Sequence, residues 1–212
     1  IAQKIARLSY HETNEIQPSI DNDGMIVYTR WDYIDRDYNA AHHMWTCFPD
    51  GTDPRAPAGN YPYAHQQDYS DKRRGHRPNS HGAIQAIPGT SRKYIAVAAN
   101  HHNMAPGKLI ILNAGVADDN LMSQTKLIVG SGYPTEHCDP PPWMIGGNDA
   151  SFYSPWPLSE DFYLATWRWG KSYMVIVLVD RFANVVFLYR GNAYGARPFR
   201  PRTRPPALPY ST

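Results

Sequence analysis

Short apolar runs preceded by polar turns recur along the chain at a spacing of about 69 residues. Three of them cover residues 25–29, 94–98 and 162–166, and each follows a turn built from Asp, Asn, Gly, Ser, Glu or Pro. Apolar, β-branched and aromatic residues in short runs between such turns are typical of buried β-strands. A fixed period of this length indicates one supersecondary unit used three times.

Further strands are predicted on both sides of each shared strand. A preceding strand is expected over residues 16–20, 83–87 and 151–156, and a following strand over 44–48, 108–112 and 174–179. Outer strands are expected over residues 125–129 and 185–189, and more weakly after Asp53, while residues 4–9 resemble the last strand of an earlier unit. Four antiparallel strands that follow one another in each unit are the pattern of a β-propeller blade.

We therefore predict an all-β fold with three four-stranded blades at about residues 16–56, 83–129 and 150–190, preceded by an outer strand over residues 1–9. Three blades cannot close a ring, and an open arc exposes sheet faces and edges. Residues 1–196 are thus expected to be half of a larger propeller, completed by other polypeptide. Residues 197–212 are rich in Arg and Pro and are predicted to form an extended tail or linker.

Composition narrows the classes of function. The net charge of +2 shows no strong electrostatic bias and argues against a nucleic-acid partner. No apolar run approaches the ~18 residues of a membrane helix. Cys47 is expected to be a buried thiol, and whether it pairs with Cys138 stays open. The chain has no CxxCH motif, so it is expected to bind no haem covalently.

The long inserts are all predicted on one rim of the arc, and all nine histidines fall in them. His42-His43 and His101-His102 occupy matched loops of neighbouring blades. Imidazole is the commonest metal ligand, and nearby carboxylates can add oxygen ligands. One interpretation is a transition-metal site, foremost for zinc, formed by His42, His43, His101, His102, Asp32, Asp35 and Asp37. The other is that these histidines hydrogen-bond to loop backbone and hold the inserts in place.

Aromatic and further histidine side chains are predicted on the same rim. They are Trp31, Tyr33, Tyr38, Tyr61, Tyr63, Tyr69, His65, His81 and His137. Such a set can stack on a sugar, contact a partner domain or simply form a packed loop cluster. The Asp-Asn-Asp-Gly segment at 21–24 lacks the final Glu and the helices of a calcium loop, so a tight turn is expected there. The chain has no Gly-x-Ser-x-Gly elbow, which argues against a hydrolase.

Four segments carry a resemblance to a known family. Residues 28–37 (Tyr-Thr-Arg-Trp-Asp-Tyr-Ile-Asp-Arg-Asp), residues 39–47, the Pro-Trp-Pro-Leu-Ser-Glu-Asp segment at 155–161 and the closing Arg-Pro run resemble the middle domain of the hydrazine synthase α subunit family. The resemblance spans about residues 1–209. It implies a six-bladed, WD-like or TolB-like β-propeller of a periplasmic or secreted protein. In that family c-type haems beside the propeller carry the chemistry, so any haem here would come from another domain or chain.

Three functions remain open on this basis. The first is a propeller scaffold of an extracytoplasmic multidomain protein, whose histidine-rich rim contacts a cofactor domain, such as a c-type cytochrome domain, or a partner subunit. The second is a metal- or haem-dependent enzyme with its site on that rim. The third is a carbohydrate- or peptide-binding propeller. The missing CxxCH and nucleophile motifs favour the first.

Overall fold

The computed structural model describes residues 5, 7–11, 14–31, 42–59, 78–99, 106–117, 123–130, 133, 151–169 and 173–209. These residues form eleven β-strands in one mostly antiparallel sheet that does not close on itself. The all-β prediction is confirmed, and the arrangement is consistent with a β-propeller-like fold. Within the described ranges there is no helix long and apolar enough to span a membrane.

The strands fall into three groups that follow one another in sequence. The first group contains β1 (Asn14–Ile20), β2 (Ile26–Trp31) and β3 (His42–Cys47). The second contains β4 (Ser80–Ala86), β5 (Lys93–Ala99), β6 (Gly107–Asn113) and β7 (Thr125–Leu127). The third contains β8 (Phe152–Pro157), β9 (Phe162–Trp169), β10 (Tyr173–Asp180) and β11 (Val185–Tyr189). Inside each group, successive strands pair antiparallel.

Each predicted strand of the three repeats overlaps an observed one, except the weak strand after Asp53. That segment contributes a single bridge, between Thr46 and Arg55. Of the outer strand predicted over residues 1–9, the structure describes residues 5 and 7–9, which lie outside any strand. That strand and the division into blades stay predictions.

A turn hydrogen bond repeats at the start of the second strand of every group. The backbone N–H groups of Asp21, Ile87 and Leu158 donate to the carbonyls of Met25, Lys93 and Phe162, at 2.9 to 3.0 Å. These acceptors are spaced at nearly the period seen in the sequence. The polar residues before each apolar run therefore form a turn at the same place in every group, as the repeated pattern predicts, with two more residues in the second group.

A β-bulge also repeats in the first strand of each group. Gln17, Ala83 and Ser154 have φ angles of 52°, 49° and 41°, and each lies where the register with the next strand shifts. Such a bulge bends the strand and leaves an N–H out of the ladder. In β4 the N–H of Ala83 donates to Oε1 of Gln17 at 2.6 Å, so the bulges of the first two groups are joined directly.

The groups pack face to face, and the middle group buries both of its faces. Along β5, alternate residues point to opposite sides, as the strand period requires. Tyr94, Ala96 and Ala98 pack with Val27 and Met44 of the first group. Ile95, Val97 and Ala99 pack instead in a cluster that includes Phe152, Tyr163 and Val177 of the third group. This explains why β5 is a continuous apolar run rather than an alternating one.

Residues 191–209, called the tail below, run back over the sheet after β11. The N–H of Ala193 donates to the Met174 carbonyl at 3.0 Å, and the N–H of Gly195 donates to Oγ1 of Thr166 at 2.9 Å. Further on, a Cβ built at Gly24 would overlap the carbonyl oxygen of Pro206. The tail thus extends from the third strand group to the turn of the first.

Candidate functional site at the histidine edge

The strand ends that border the long connections lie together on one side of the molecule. Here an edge means such a side, where strands begin or end, and not an outermost strand. Strands β2, β5 and β9 end there, and β3, β4, β6, β8 and β10 begin there, because successive strands within a group alternate in direction and β4 pairs parallel with β3. We call this edge the histidine edge, because His42, His43 and His81 lie within two residues of it. The opposite edge carries the short repeated turns and is called the turn edge.

The three described histidines of this edge belong to strands, and not to inserts as the sequence analysis expected. His42 and His43 begin β3, and His81 is the second residue of β4. The strands extend past their apolar runs because backbone pairing, such as that of His42 with Ser80, continues into polar residues. Trp31 ends β2. The other predicted site residues lie outside the described residues: Asp32, Tyr33, Asp35, Asp37, Tyr38, Tyr61, Tyr63, His65, Tyr69, His101, His102 and His137.

His43 and His81 form a ring pair between the first and second strand groups. Their ring centroids lie 4.9 Å apart and their planes are tilted by 48°. Gly59 closes the pair from one side, with φ at +88° and no room for a side chain. A Cβ there would lie 2.6 Å from Cγ of His43 and 3.0 Å from Cε1 of His81. Glycine is therefore required at this close approach.

Hydrogen bonds fix the proton positions on both rings. The N–H of Met44 donates to Nδ1 of His81 at 3.3 Å, so Nδ1 holds the lone pair and neutral His81 carries its proton on Nε2. Nε2 of His43 lies 3.3 Å from the Pro78 carbonyl, which can only accept, so this nitrogen donates. Burial, and secondarily the charge of His43, hold the pKa of His81 well below its usual value near 6.5. His81 is therefore neutral at pH 7.

Trp31 and His42 form a second ring pair at the same edge. Their centroids lie 4.7 Å apart, and they are direct cross-strand partners in the β2–β3 ladder. His42 is buried, and its backbone N–H donates to the Asn79 carbonyl at 3.3 Å. The Trp31 ring, predicted as part of an aromatic binding rim, thus packs on a histidine of its own strand group.

Asn79 is the residue of this edge that sequence reasoning missed. Its side chain is fully buried, yet neither its amide nitrogen nor its amide oxygen has a hydrogen-bond partner among the residues that the structure describes. Leaving a buried polar group unpaired costs about 1–3 kcal/mol, so such groups call for an explanation, such as a bound molecule or a functional role. The sequence does not signal a buried, unpaired amide at this position, because a single Asn before a strand is common and only its burial is unusual.

Basic side chains flank the histidines. Arg30 is the cross-strand partner of His43, and its guanidinium stacks on the Trp45 ring at 4.2 Å. Lys108 is buried in β6 opposite Ala98, whose other neighbour is His81. Two strand spacings of about 4.8 Å place Lys108 and His81 roughly 10 Å apart on one face. Glu15 is the other cross-strand partner of Arg30, so this edge carries charges of both signs.

The capacity for metal binding depends on which ring nitrogens are available. His81 accepts at Nδ1 and keeps its proton on Nε2, which makes it a hydrogen-bond donor and a poor ligand. The Nε2–H group of His43 donates to a carbonyl, which is the second contact that metal-bound histidines usually make. Among the described residues, no three His, Cys, Asp or Glu side chains are grouped closely enough to hold a metal ion.

Cys47 lies away from this edge, at the far end of β3. Its thiol is free and buried, as expected from the sequence. Burial, followed by the charges of Glu15 and Asp50, raises the pKa of the thiol. A buried thiol kept protonated is chemically inert, so Cys47 contributes packing rather than reactivity.

Comparison with known proteins identifies a structural neighbour. No protein-family model matches the chain, and no curated protein sequence matches it. The fold is similar to that of hydrazine synthase from Kuenenia stuttgartiensis, with a TM-score of 0.54 and 14% sequence identity. The match covers 88% of this chain and 23% of the other. At this identity the similarity shows the fold alone, so this chain shares its fold with a part of that larger protein.

Proposed function

We propose that the three strand groups are blades of a larger β-propeller, and that this propeller is a scaffold module of an extracytoplasmic multidomain protein. The structural match supports this reading, because nearly all of this chain corresponds to less than a quarter of a hydrazine synthase chain. A six-bladed ring would need about as much polypeptide again. The histidine edge would then face a neighbouring cofactor domain or partner subunit.

The exposed face of β11 is the observation that carries this proposal. Phe187 points into the sheet stack and lies 5.4 Å from the Trp167 ring. Its neighbours Val186 and Leu188 point the other way and are 55% and 53% exposed. Apolar side chains in a row on one strand face are normally covered by the next packed sheet. The tail covers another part of this face, where Arg197 and Arg202 stack on Trp156, so the part around Val186 and Leu188 is the surface suited to a further blade.

The first strand group is also open on its outer side. A cavity of about 170 Å³ lies there, lined by apolar residues of the group that include Ile16, Ile26 and Tyr28. The described N-terminal segment supplies Leu8 and His11 to the wall and so covers part of this face. Both ends of the arc therefore carry apolar surface, as expected of a ring segment.

The test is the association state of the purified chain. We expect sedimentation analysis to show association beyond the 24.0 kDa chain, because exposed apolar faces pair with one another or with added blades. Changing Val186→Asp and Leu188→Asp together should weaken this association at least tenfold. Val116→Asp is the control, since Val116 is 38% exposed on the turn after β6 and lies away from β11. A monodisperse 24.0 kDa monomer would contradict the proposal.

A metal site on the histidine edge is the second candidate. It is favoured by the His43 hydrogen bond to Pro78, which orients that imidazole as metal ligands are oriented. Its ligands would be His43, His101 and His102, with Asp32, Asp35 or Asp37, and zinc suits this donor set. His42 is left out because it precedes His43 in β3 and points to the opposite face, against Trp31. Haem chemistry would require a haem supplied by another domain or chain.

Elemental analysis of protein purified with zinc present tests this candidate. We expect one zinc per chain, which His43→Ala with His101→Ala should abolish while the circular dichroism spectrum stays unchanged. His11→Ala is the control, because His11 is exposed and outside the proposed ligand set. The absence of stoichiometric zinc in the unaltered protein would reject the metal site and leave the scaffold proposal standing.

A further inference from the structure

A cavity of about 880 Å³ opens at the turn edge, on the side of the molecule opposite the histidines. Its walls come from the ends of the innermost strands β1, β4 and β8, and from the tail that crosses them. Pockets for small molecules usually measure about 300–1,000 Å³, so this one is large enough for a ligand. The scaffold role proposed above makes no use of it.

The tail gives this cavity a strongly cationic wall. Arg197, Arg200, Arg202 and Arg204 all line it, and no Asp or Glu does so among the described residues. The ion pairs seen in the described part of the chain use Arg55, Lys93 and Arg181, and none uses these four arginines. In an extended proline-rich backbone of about 3.1 Å per residue, alternate arginines lie about 6 Å apart. A row of uncompensated charges facing a concave space attracts anions.

Two of the guanidinium groups are held in place by one aromatic ring. Arg197 and Arg202 stack on Trp156, with Cζ 4.7 Å and 4.9 Å from the ring centroid. Stacking uses the flat face of a guanidinium and leaves its N–H groups available around the edge. Arg200 is positioned by donating one N–H to the Leu158 carbonyl at 2.9 Å. Groups fixed before binding lose little entropy when a ligand arrives.

The wall opposite the arginines is neutral and polar. Gln85 contributes a side-chain amide that forms no hydrogen bond with any described residue. Asn22 donates its amide N–H groups to the carbonyls of Ile87 and Thr90, at 2.7 Å and 2.9 Å, so its Oδ1 does not take part in these bonds. These groups can bind the uncharged part of a ligand whose charged groups contact the tail.

From this geometry we propose that the cavity binds a small anion that carries at least two phosphate or carboxylate groups. An anion with one charge would leave most of the arginine row uncompensated. Guanidinium groups pair with both phosphate and carboxylate through parallel N–H bonds, so the shared chemistry is a multivalent oxyanion. The contacts proposed for the histidine edge do not use this site, which lies at the turn edge.

Titration calorimetry on the full chain at low ionic strength tests the proposal with three probes: pyrophosphate, citrate and acetate. We expect pyrophosphate or citrate to bind at least tenfold more tightly than acetate, and the tighter of the two identifies phosphate or carboxylate as the preferred group. Arg200→Gln with Arg204→Gln should weaken that binding at least tenfold. Added salt should weaken it too, because exposed charges are screened.

Two further variants keep the test decisive. Arg204 makes no described hydrogen bond or ion pair, so Arg204→Gln alone should leave the tail docked and still weaken binding at least threefold. Arg190→Gln is the matched control, because the Arg190 guanidinium stacks on Phe187 outside the cavity. The affinity of this variant for the multivalent probe should stay within twofold of the affinity of the unaltered protein. If neither multivalent probe binds better than acetate, or if Arg190→Gln loses as much affinity as the tail variants, the proposal is wrong.

Discussion

The hydroxyl of Tyr94 donates a hydrogen bond to Oδ2 of Asp21 at 2.9 Å, across 73 positions of sequence. Both side chains are buried, and Oδ1 of the same carboxylate accepts the N–H groups of Asp23 and Met25. The bond joins the second strand of the second group to the turn of the first. Burial, followed by the Asp21 charge, raises the pKa of the Tyr94 hydroxyl, which therefore remains a donor.

We expect Tyr94→Phe to lower the free energy of unfolding by about 1.5–3 kcal/mol, because it removes a hydrogen bond to a buried charged group. Urea denaturation at pH 7 measures this. Tyr163→Phe is the matched control, since Tyr163 lies at the equivalent position in the third group and donates to the Glu160 carbonyl. That bond to a neutral acceptor should be worth only about 0.5–1.5 kcal/mol. Equal losses in the two variants would contradict a special role for the Asp21 pair.

Stability should fall with acid through His81. Its folded-state pKa lies well below 6.5, so between the two values the unfolded chain binds a proton that the folded chain does not. The contribution of His81 is constant above pH 6.5 and is lost as the pH falls below it, by up to about 1.4 kcal/mol per pH unit. Urea denaturation at pH 7.5, 6.5 and 5.5 would record the slope.

Replacing His81 shows how much of the pH dependence of the free energy of unfolding comes from this imidazole. His81→Gln removes the titrating group and should flatten the dependence between pH 6.5 and 5.5, although the variant is less stable at pH 7.5. His11→Gln is the control for replacing a histidine by glutamine, because His11 is exposed and lies outside the strands. A slope that survives in His81→Gln would place the acid sensitivity elsewhere.

Gly59→Ala should destabilise the His43–His81 pair. The new methyl group would lie 2.6 Å from Cγ of His43, in a backbone with φ at +88°. We expect a loss of about 2–4 kcal/mol, of which ~1 kcal/mol is the cost of positive φ for a residue with a side chain. Gly89→Ala separates the two effects, because Gly89 has φ at +74° and nothing within 4 Å of the added Cβ. Similar losses in thermal unfolding would rule out the clash.

Gly24→Ala should detach the end of the tail. An alanine Cβ there would overlap the Pro206 carbonyl and also lie 3.3 Å from Cγ of Leu208. Trypsin reports this directly, because the bonds after Arg197, Arg200 and Arg204 precede proline and resist cleavage, which leaves Arg202–Thr203 as the sensitive tail bond. We expect mass spectrometry to show cleavage there at least fivefold faster than in Gly89→Ala. Equal rates would mean that this contact does not hold the tail.

The repeated strands were predictable because turn-forming polar residues lie next to each of them in the sequence. Residues 185–189 were predicted as a strand and form β11 with those bounds, since Asp180 and Asn184 close the preceding turn by a 2.7 Å side-chain bond. Local signals of this kind depend on residues a few positions apart. They also explain why the 69-residue period survives in the structure.

The histidine edge depended on contacts that local patterns do not encode. His81 was expected in an insert, because β4 was predicted to begin at Ala83, whereas the bulge at Ala83 lets the strand start at Ser80. The pairing of His43 with His81 follows from that earlier start and from Gly59, which arrives from a different segment. The unpaired amide of Asn79 is visible only once burial is known.

The path of the tail has a consequence for the order of folding. Each hairpin closes through residues near one another in sequence, whereas the contact of Pro206 with Gly24 closes a loop of about 180 residues, and closure entropy rises with loop length. Contacts of long range form late, so the tail should be the last segment to dock. The arginine wall would then form only after the three strand groups have folded. An anion bound between the tail and the sheet would stabilise the fully folded chain relative to every state in which the tail is not docked.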